Sequence, residues 1–421
     1  MTWLTRWTSQ RVLRQLGPGL ITGAADDDPS GIATYSQAGA QFGYQLGWTV
    51  VLTYPLMVGI QMVSARMGRV TGRGLAANVA RRFPKPMLYA IVAMLVVANT
   101  INIAADVSAM GDALSSLAGG PRLVYAVAVG GASVVLQIFM SYQRYVRYLR
   151  WLTLALLAYV AVLFTVSVPW IDVLQSIAWP RAFDGGVLTT IVAVLGTTIS
   201  PYLFFWQAAQ EVEEIRADHN AAPLVKDHAD ARRQLRRIKV DTYVGMAFSN
   251  LIALAIMITT AATLHRSGVT DIATSAQAAE ALRPIAGDYA FLLFALGILG
   301  TGMLAVPVLA GSAAYAVAET FHWRSGLDLA PRKGREFYGI ITLAILGGVA
   351  LGFAPIDPIR ALYWSAVLNG IVAVPIMAVT MRMANDRKVM GEFVVKRRLR
   401  VLGWLATWTM AAAVVAMFVT R

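Results

Sequence analysis

Ala25-Asp26-Asp27-Asp28-Pro29-Ser30-Gly31 brings three consecutive carboxylates and a proline into the middle of an apolar part of the chain. The flanking segments, 16–25 and 32–40, are each too short to cross a bilayer alone, because a spanning helix needs about 20 residues. The stretch therefore predicts one membrane span interrupted at Asp28, and not a solvated loop. Each carboxylate costs roughly 2.5–3.5 kcal/mol in hydrocarbon, and a broken helix frees backbone carbonyls. Anionic side chains beside free carbonyls indicate a cation site.

The composition of the whole chain is typical of a polytopic membrane protein. Of its 421 residues, 57% are hydrophobic and only 14% are charged, and the mean hydropathy is +0.59. A soluble domain seldom has this composition. We predict a single transmembrane domain over 1–421 with eleven spans, at about 16–42, 45–65, 87–117, 122–142, 151–169, 186–210, 241–264, 288–319, 337–354, 359–381 and 401–419.

The net charge of +13 points either to nucleic acid or to membrane topology. If the N-terminus is cytosolic, 30 of the 36 Lys and Arg residues fall in cytosolic segments. This positive-inside pattern predicts an integral protein of the cell (inner) membrane with an outside C-terminus and no nucleic-acid partner. No removable signal peptide is expected. The polar stretch 211–240 predicts a cytosolic loop with a short basic helix near the headgroups.

A second interruption is expected in the sixth span, at Thr197-Thr198-Ile199-Ser200-Pro201-Tyr202. Two broken helices five spans apart predict an inverted-repeat transporter with its site near the bilayer midplane. The repeats would cover about 16–169 and 186–384, and 401–419 would be an added span. Two ordinary proline kinks are the alternative, but the aspartates at the first break favour the functional interpretation.

The residues at the two breaks offer oxygen ligands and little else. Asp28 is the first candidate ligand. Successive helical residues are ~100° apart, so Asp26 and Asp27 are expected either to line the inward pathway or to bond to neighbouring helices. Hydroxyl and carbonyl oxygens suit hard cations such as Mg²⁺, Ca²⁺ and Mn²⁺, and the second break supplies them from Thr197, Thr198, Ser200 and Tyr202. The chain has no cysteine, which excludes thiolate and iron–sulfur sites, and no cofactor is expected.

Polar side chains also line two other parts of the predicted bundle. Asn99, Asn102 and Asp106 share one face of the third span, and Asp106 is expected to serve either an ion route or a structural network. Gln207 and Glu211 continue the sixth span toward the cytosol, as an acidic vestibule or as an acidic helix end beside a basic loop. No histidine is expected to carry protons through the core, because all four lie in loops: His219, His228, His265 and His322.

These features resemble the Nramp family of divalent-metal transporters, which have the leucine-transporter fold. The segment from Gly17-Pro18-Gly19 through Asp28-Pro29-Ser30-Gly31 to Phe42-Gly43-Tyr44 is similar to the family's first helix with its Asp-Pro-Gly-Asn motif. Ser200-Pro201-Tyr202 lies where the family has Met-Pro-His, and Asn385 to Phe393 resembles the loop after the tenth span. Over about 12–420, the resemblance implies an all-α 5+5 inverted repeat with discontinuous spans 1 and 6. It also implies a metal site at Asp28, the carbonyls of Ala25 and Thr197, and Ser200.

The chain departs from the family pattern at several site positions. Gly31 replaces the motif asparagine, Ser200 the methionine and Tyr202 the histidine. The family's proton-route aspartate and glutamate align with Ile103 and Asp106, and a later histidine aligns with Gln207. In these respects the chain resembles the Nramp-related magnesium transporters, which lack the methionine and much of the proton machinery. A roomier all-oxygen site would suit Mg²⁺, which keeps several of its waters.

The leading hypothesis is a secondary transporter or facilitator of a hard divalent cation, Mg²⁺ first and Mn²⁺ second. It would work by alternating access around Asp28, with weak or no proton coupling. The alternatives are a carrier of a small organic solute with a coupling cation on Asp28, a proton-coupled Mn²⁺/Fe²⁺ importer, and a non-transporting membrane receptor or scaffold. An enzyme is not expected, since no nucleophile–base set or cofactor motif appears. The expected partners are the ion and the bilayer; the oligomeric state stays open, and a monomer would suffice.

Overall fold

The computed structural model describes residues 22–23, 25–140, 152–179, 185–218, 221–228 and 230–420, and these ranges are almost entirely helical. The predicted beginning of the first span, with Gly17-Pro18-Gly19, lies outside the described residues. So do His219, the end of the predicted fourth span and the cytosolic segment that follows it. The prediction of an all-α polytopic membrane protein is confirmed in the part of the chain that is described.

Seventeen α-helices lie within these ranges. Those of the first half are α1 (Pro29–Phe42), α2 (Gly47–Thr71), α3 (Leu75–Arg82), α4 (Lys85–Ala118), α5 (Arg122–Phe139), α6 (Leu157–Val162) and α7 (Trp170–Ala178). Those of the second half are α8 (Gly185–Thr198), α9 (Pro201–Ala217), α10 (Ala231–Thr263), α11 (Ser275–Ala279), α12 (Arg283–Ala286), α13 (Ala290–Phe321), α14 (Arg335–Leu351), α15 (Pro358–Ala384), α16 (Arg387–Met390) and α17 (Arg397–Val419).

Eight helical runs among the described residues are long and apolar enough to cross a membrane. They coincide with the predicted spans 2, 3, 4, 6, 7, 8, 10 and 11. The predicted ninth span corresponds to α14, which has 17 residues. The predicted fifth span corresponds to the 3₁₀ turn Thr153–Leu156 followed by α6. The number of eleven spans, the repeat boundaries and the orientation remain predictions.

Both predicted helix breaks are present. Ala25 and Asp26 are helical, the backbone bends at Asp27, and Asp28 is extended (φ −71°, ψ 169°) before α1 begins at Pro29. In the sixth span, α8 ends at Thr198, and Ser200 is extended (φ −74°, ψ 127°) before α9 begins at Pro201. A proline at the first helical position loses no hydrogen bond, and its fixed φ suits a helix start. Each proline therefore begins a half-helix and does not kink a continuous one.

The basic helix of the predicted cytosolic loop is part of span 7. The sequence led us to expect a short separate helix within 211–240, but α10 runs without a break from Ala231 to Thr263. The segment 231–241 contains good helix formers and neither glycine nor proline, so its polar composition ends the apolar span without ending the helix. The start of α10 is therefore a basic extension of the helix that contains span 7.

The half-helix α1 lies at the centre of the bundle, where it packs against α4, α8, α10 and α15. Glycines permit this close approach. A Cβ on Gly39 would collide with Thr260 and with the backbone of Met257 on α10. The other half-helix, α8, approaches α15 at Gly196 and Gly370, where a Cβ on Gly370 would lie 2.8 Å from the carbonyl oxygen of Val192. Close packing thus brings the two breaks to the same region of the molecule.

Candidate cation site at the two helix breaks

Asp28 is the N-cap of α1 and lies at the centre of the candidate site. Its Oδ1 accepts hydrogen bonds from the backbone N–H of Gly31 and the hydroxyl of Ser30, both at 2.7 Å. A carboxylate in this position satisfies free backbone donors and is stabilised by the helix dipole. The side chain is 1% exposed. Asp28 is therefore a buried carboxylate with a fixed orientation at the first break, and its role as a cation ligand stays a prediction.

The third span contributes Asn102, which donates from Nδ2 to Asp28 Oδ2 at 3.1 Å. The other two polar residues on this face of α4, Asn99 and Asp106, do not bond to Asp28. Asn99 donates to the carbonyl of Leu309 and to the hydroxyl of Ser312, each at 2.8 Å, and so joins α4 to α13. Both carboxyl oxygens of Asp106 are buried without a hydrogen-bond partner among the described residues. Asp106 therefore makes no hydrogen bond within the described residues, and both of its predicted roles stay predictions.

Asp26 and Asp27 face α10 and not Asp28. The hydroxyl of Ser249 lies 2.6 Å from Asp26 Oδ2 and 3.0 Å from Asp27 Oδ1. Of the two sequence-based alternatives, the structure favours a bond to a neighbouring helix. A serine hydroxyl has one proton to donate, so it serves only one of the two carboxyl groups at a time. Asp26 Oδ1 has no partner within the described ranges.

The two carbonyls that the Nramp resemblance implies as metal ligands both accept hydrogen bonds from hydroxyl groups. Tyr202 donates to the carbonyl oxygen of Ala25 at 3.2 Å, which joins the second break to the first. Ser200 lies 2.7 Å from the carbonyl oxygen of Thr197 and 3.0 Å from that of Gly196. The predicted ligand positions are thus close together, and in this conformation their backbone oxygens are occupied internally.

The position of the missing motif side chain, at Gly31, is closely packed. A Cβ there would lie 3.2 Å from Thr197 Oγ1, 3.4 Å from Asp28 Oδ1 and 3.4 Å from Tyr35 Cε2. We expected the loss of a bulky ligand to leave a roomier site. Instead, Thr197 and Tyr35 fill the space, and the Tyr35 hydroxyl lies 3.0 Å from that of Thr198. Thr197 Oγ1 is buried and unpartnered among the described residues, so the Thr197 side chain offers a hydroxyl oxygen in addition to the carbonyl.

The donor set does not resemble a resident metal centre. Across the ranges that the structure describes, no group of three or more His, Cys, Asp and Glu residues is placed to hold a metal ion. The site instead combines one carboxylate with carbonyl and hydroxyl oxygens. Such oxygen donors are typical ligands of hard cations. Asp28, Thr197 and Ser200 are at most 2% exposed, so the site is closed in this conformation.

Gln207 lies on α9, beyond the second break, and is hydrogen-bonded to two other helices. Gln61 on α2 donates from Nε2 to Gln207 Oε1, and Gln207 Nε2 donates to the hydroxyl of Thr242 on α10 at 3.3 Å. Three helices are therefore joined through one amide. The sequence placed Gln207 on the inner part of span 6 but did not indicate its partners.

Glu211, one turn further along α9, is paired and does not face an open acidic vestibule. Arg237 on α10 contacts Glu211 at 2.5 Å and Glu214 at 2.9 Å. The Glu211 side chain is fully buried. Of the two sequence-based interpretations, the paired helix end fits this geometry. The basic extension of α10 thus supplies the partner of these acids.

Sequence reasoning missed the contribution of α10 to the site. Arg237, Asp241, Gly245 and Ser249 follow one another at four-residue steps, so they share one face of the helix. Arg237 and Ser249 on that face hold the acids of α9 and of the first break. A search for polar and small residues at helical spacing in span 7 would have indicated this face.

Comparison with known proteins identifies the family to which the chain belongs. The family model described as "Natural resistance-associated macrophage protein-like" (Nramp) matches residues 19–420. The divalent metal cation transporter MntH of Yersinia pestis (strain Pestoides F) is 29% identical over 414 residues, covering 94% of each chain. The protein of the same name from Erwinia tasmaniensis is 29% identical over 403 residues, covering 93% of this chain and 90% of its own length.

Solved structures show the same fold. The Eremococcus coleocola manganese transporter, in complex with an aromatic bis-isothiourea substituted compound, aligns with a TM-score of 0.72 at 16% identity, over 100% of this chain and 87% of its own. Mhp1, a nucleobase-cation-symport-1 family transporter in a closed conformation, aligns with a TM-score of 0.56 at 15% identity, over 96% of this chain and 92% of its own. The family match over nearly the whole sequence, on this fold, shows that the chain belongs to the Nramp family.

Proposed function

We propose that this protein carries a hard divalent cation across the membrane, with Mg²⁺ as the preferred ion and Mn²⁺ as the second. The observation that carries the proposal is the buried carboxylate of Asp28, placed at two helix breaks whose other nearby groups are carbonyls, hydroxyls and an amide. Residues 25–31 and 197–202 contain neither methionine nor histidine, so the breaks offer no soft or imidazole ligand. Hard cations prefer such oxygen sites.

The proposed ligands are the carboxylate of Asp28, the carbonyls of Ala25 and Thr197, and the hydroxyl of Ser200. Thr197 Oγ1 is a further oxygen on the same side. Before an ion can reach the two carbonyls, the hydroxyls of Tyr202 and Ser200 must turn away from them. In this proposal, loading couples a local rearrangement at the breaks to the movement of one repeat against the other, which is the alternating-access mechanism.

Transport is proposed to follow the membrane potential without a coupled proton. The potential supplies about 2.3 kcal/mol per elementary charge for each 100 mV, so a divalent ion gains twice that amount without another ion. The described histidines, His228, His265 and His322, lie at or beyond helix ends, and none lies at the two breaks.

The proposal is tested by uptake into proteoliposomes with an imposed negative-inside potential. Mg²⁺, Mn²⁺ and Ca²⁺ are compared, and internal pH is recorded in parallel. Asp28→Ala is expected to reduce divalent uptake to the level of protein-free liposomes, because it removes the carboxylate of the site. Asp28→Asn keeps the size and shape of the side chain but removes its negative charge, so this variant should also lose most of its divalent-cation uptake. The matched control is Asp288→Asn, an exposed carboxylate far from the breaks in sequence, which should transport normally.

Uptake of Mg²⁺ above Mn²⁺ without internal acidification is the expected result. Uptake that depends steeply on an inward pH gradient would contradict the absence of proton coupling. If well-folded wild-type protein takes up no divalent ion, or if Asp28→Ala transports as well as wild type, the cation proposal fails.

A further inference from the structure

A cavity with a basic lining lies where the short helix α3 meets the beginning of α4 and the end of α13. The cavity has a volume of about 290 Å³. Its cationic lining consists of Arg73, Arg81 and Lys85, and we call these three residues with the cavity the basic groove. All three residues belong to a segment that the positive-inside pattern places on the cytosolic side. The groove is therefore expected to open at the inner membrane surface.

The three cations of the basic groove form no ion pair in the part of the chain that the structure describes, because no carboxylate there lies within ion-pair distance of Arg73, Arg81 or Lys85. Burial, and then the charge of Arg81, lower the pKa of Arg73, as expected for neighbouring cations that lack a counter-charge. Uncompensated cations held together in a cavity favour a bound anion.

One carboxylate, that of Glu319, does line the groove, but it is directed at the backbone of α3. Its Oε2 accepts a hydrogen bond from the N–H of Ala77 at 3.0 Å. A Cβ on Gly74 would collide with this carboxylate, so Glu319 sits directly against the first turn of α3. It therefore satisfies free helix donors and leaves the three cations of the groove unpaired.

The groove continues into an exposed row of stacked aromatic rings. Tyr89 stacks on Phe321 with ring centroids 6.3 Å apart, and Phe321 stacks on Trp323 at 5.1 Å. These side chains are 47%, 52% and 40% exposed, respectively. Aromatic residues concentrate at the level of the lipid headgroups. The cations of the groove would suit the anionic headgroup of a phospholipid, and the adjacent aromatic rings would suit its apolar acyl chains.

We propose that the basic groove binds the phosphate group of an anionic phospholipid from the inner leaflet, with the acyl chains against Tyr89, Phe321 and Trp323. The cations supply the electrostatic attraction that polybasic sites use for anionic lipids. The exposed aromatic row favours a lipid over a free phosphate ion, which would gain nothing from it. A neighbouring cavity shares Arg73 and Arg81 with the groove and adds Lys388, whereas Arg82 in that cavity is paired with Asp386. This lipid site is independent of the transported ion.

The test measures which lipid lies next to Trp323. Full-length protein is reconstituted in nanodiscs of phosphatidylcholine with increasing phosphatidylglycerol, and either lipid is brominated in its acyl chains to quench nearby tryptophan. The signal of Trp323 is the difference between wild type and Trp323→Phe, since the chain has 11 tryptophans. Brominated phosphatidylglycerol is expected to quench Trp323 at a much lower mole fraction than brominated phosphatidylcholine.

The double variant Arg81→Gln/Lys85→Gln should reduce this preference by roughly thirty-fold, since each basic side chain near the surface contributes about 1 kcal/mol. Arg232→Gln/Arg236→Gln removes the same charge from exposed positions of α10 and should leave the preference unchanged. If the first double variant does not fold, the two single variants are each expected to lose about fivefold.

Equal quenching by the two lipids, or equal losses in the two double variants, would overturn the proposal. A third arm adds inorganic phosphate in excess to nanodiscs of fixed composition. If free phosphate removes the preference for phosphatidylglycerol, the groove is a site for a soluble anion and the lipid assignment is wrong. Divalent-cation uptake is measured on the same preparations, so failure of this proposal is separate from failure of the cation proposal.

Discussion

At the scale of single residues, three adjacent aspartates have three different surroundings. Asp28 receives three hydrogen bonds, whereas Asp26 and Asp27 share one serine hydroxyl. The sequence predicted that Asp28 lies at the break, because a proline follows it. It did not predict that Asp26 and Asp27 face the same residue, because the helical spacing of ~100° no longer applies where the backbone bends at Asp27.

Ser249→Ala is expected to destabilise the protein by about 1–3 kcal/mol, since it leaves a buried carboxyl group without its donor. The measurement is the thermal unfolding temperature of the purified protein in detergent. Ser249→Thr keeps the hydroxyl and should recover most of the loss. The matched control is Ser365→Ala, because the buried Ser365 hydroxyl donates only within its own helix, to the carbonyl of Leu362. Equal effects of the two alanine variants would contradict the assigned role of Ser249.

At the scale of helices, the local sequence predicted where the half-helices begin better than it predicted which helices pack against each other. Pro29 and Pro201 begin half-helices as expected, because proline favours the first position of a helix. Hydropathy did not predict that α10 begins at Ala231, well before the apolar span at 241–264. Hydropathy indicates which residues are apolar enough for the membrane, and it does not indicate where a helix begins. The approach of α8 to α15 at Gly196 and Gly370 was also missed, because it depends on two glycines far apart in the sequence.

Gly196→Ala is expected to destabilise the bundle by about 1–3 kcal/mol and to reduce transport. A Cβ there would meet the backbone of α15, lying 2.9 Å from the Cα of Gly370, and a backbone contact cannot be relieved by a change of rotamer. Gly339→Ala is the control, since a Cβ at that helical position meets nothing within 4 Å. Alanine favours helices over glycine, so the control should be neutral or slightly more stable. Thermal unfolding and uptake are measured for both variants.

At the scale of the whole molecule, the fold is that of the Nramp family, and its orientation in the membrane is the prediction that still needs a measurement. The all-helical architecture was predictable because hydropathy, charge distribution and two breaks agreed with one another. The closed state of the site was not, because it arises from hydrogen bonds between helices more than 100 residues apart in sequence, such as that from Tyr202 to Ala25.

The absence of cysteine from the chain gives a clean background for testing orientation. Ser267→Cys lies in an exposed turn predicted to be outside, and Arg232→Cys lies at the exposed start of α10, predicted to be cytosolic. A membrane-impermeant maleimide is expected to label Ser267→Cys in intact cells and Arg232→Cys only after permeabilisation. The opposite pattern would mean that the positive-inside assignment is inverted.

The hydroxyl groups of Tyr202 and Ser200, which donate to the carbonyls of Ala25 and Thr197, have a consequence for the step in which an unloaded carrier returns across the membrane. A carrier that moves its cargo without a second ion must return with nothing bound. Bare carbonyls facing each other in a dry interior would oppose that return, because unpaired buried acceptors are costly. In the proposed cycle, the hydroxyl protons of Tyr202 and Ser200 would replace the cation on these carbonyls, as they do in this conformation. The contacts that keep the unloaded site closed would then also allow it to return empty, and the cation would compete with them on each turnover.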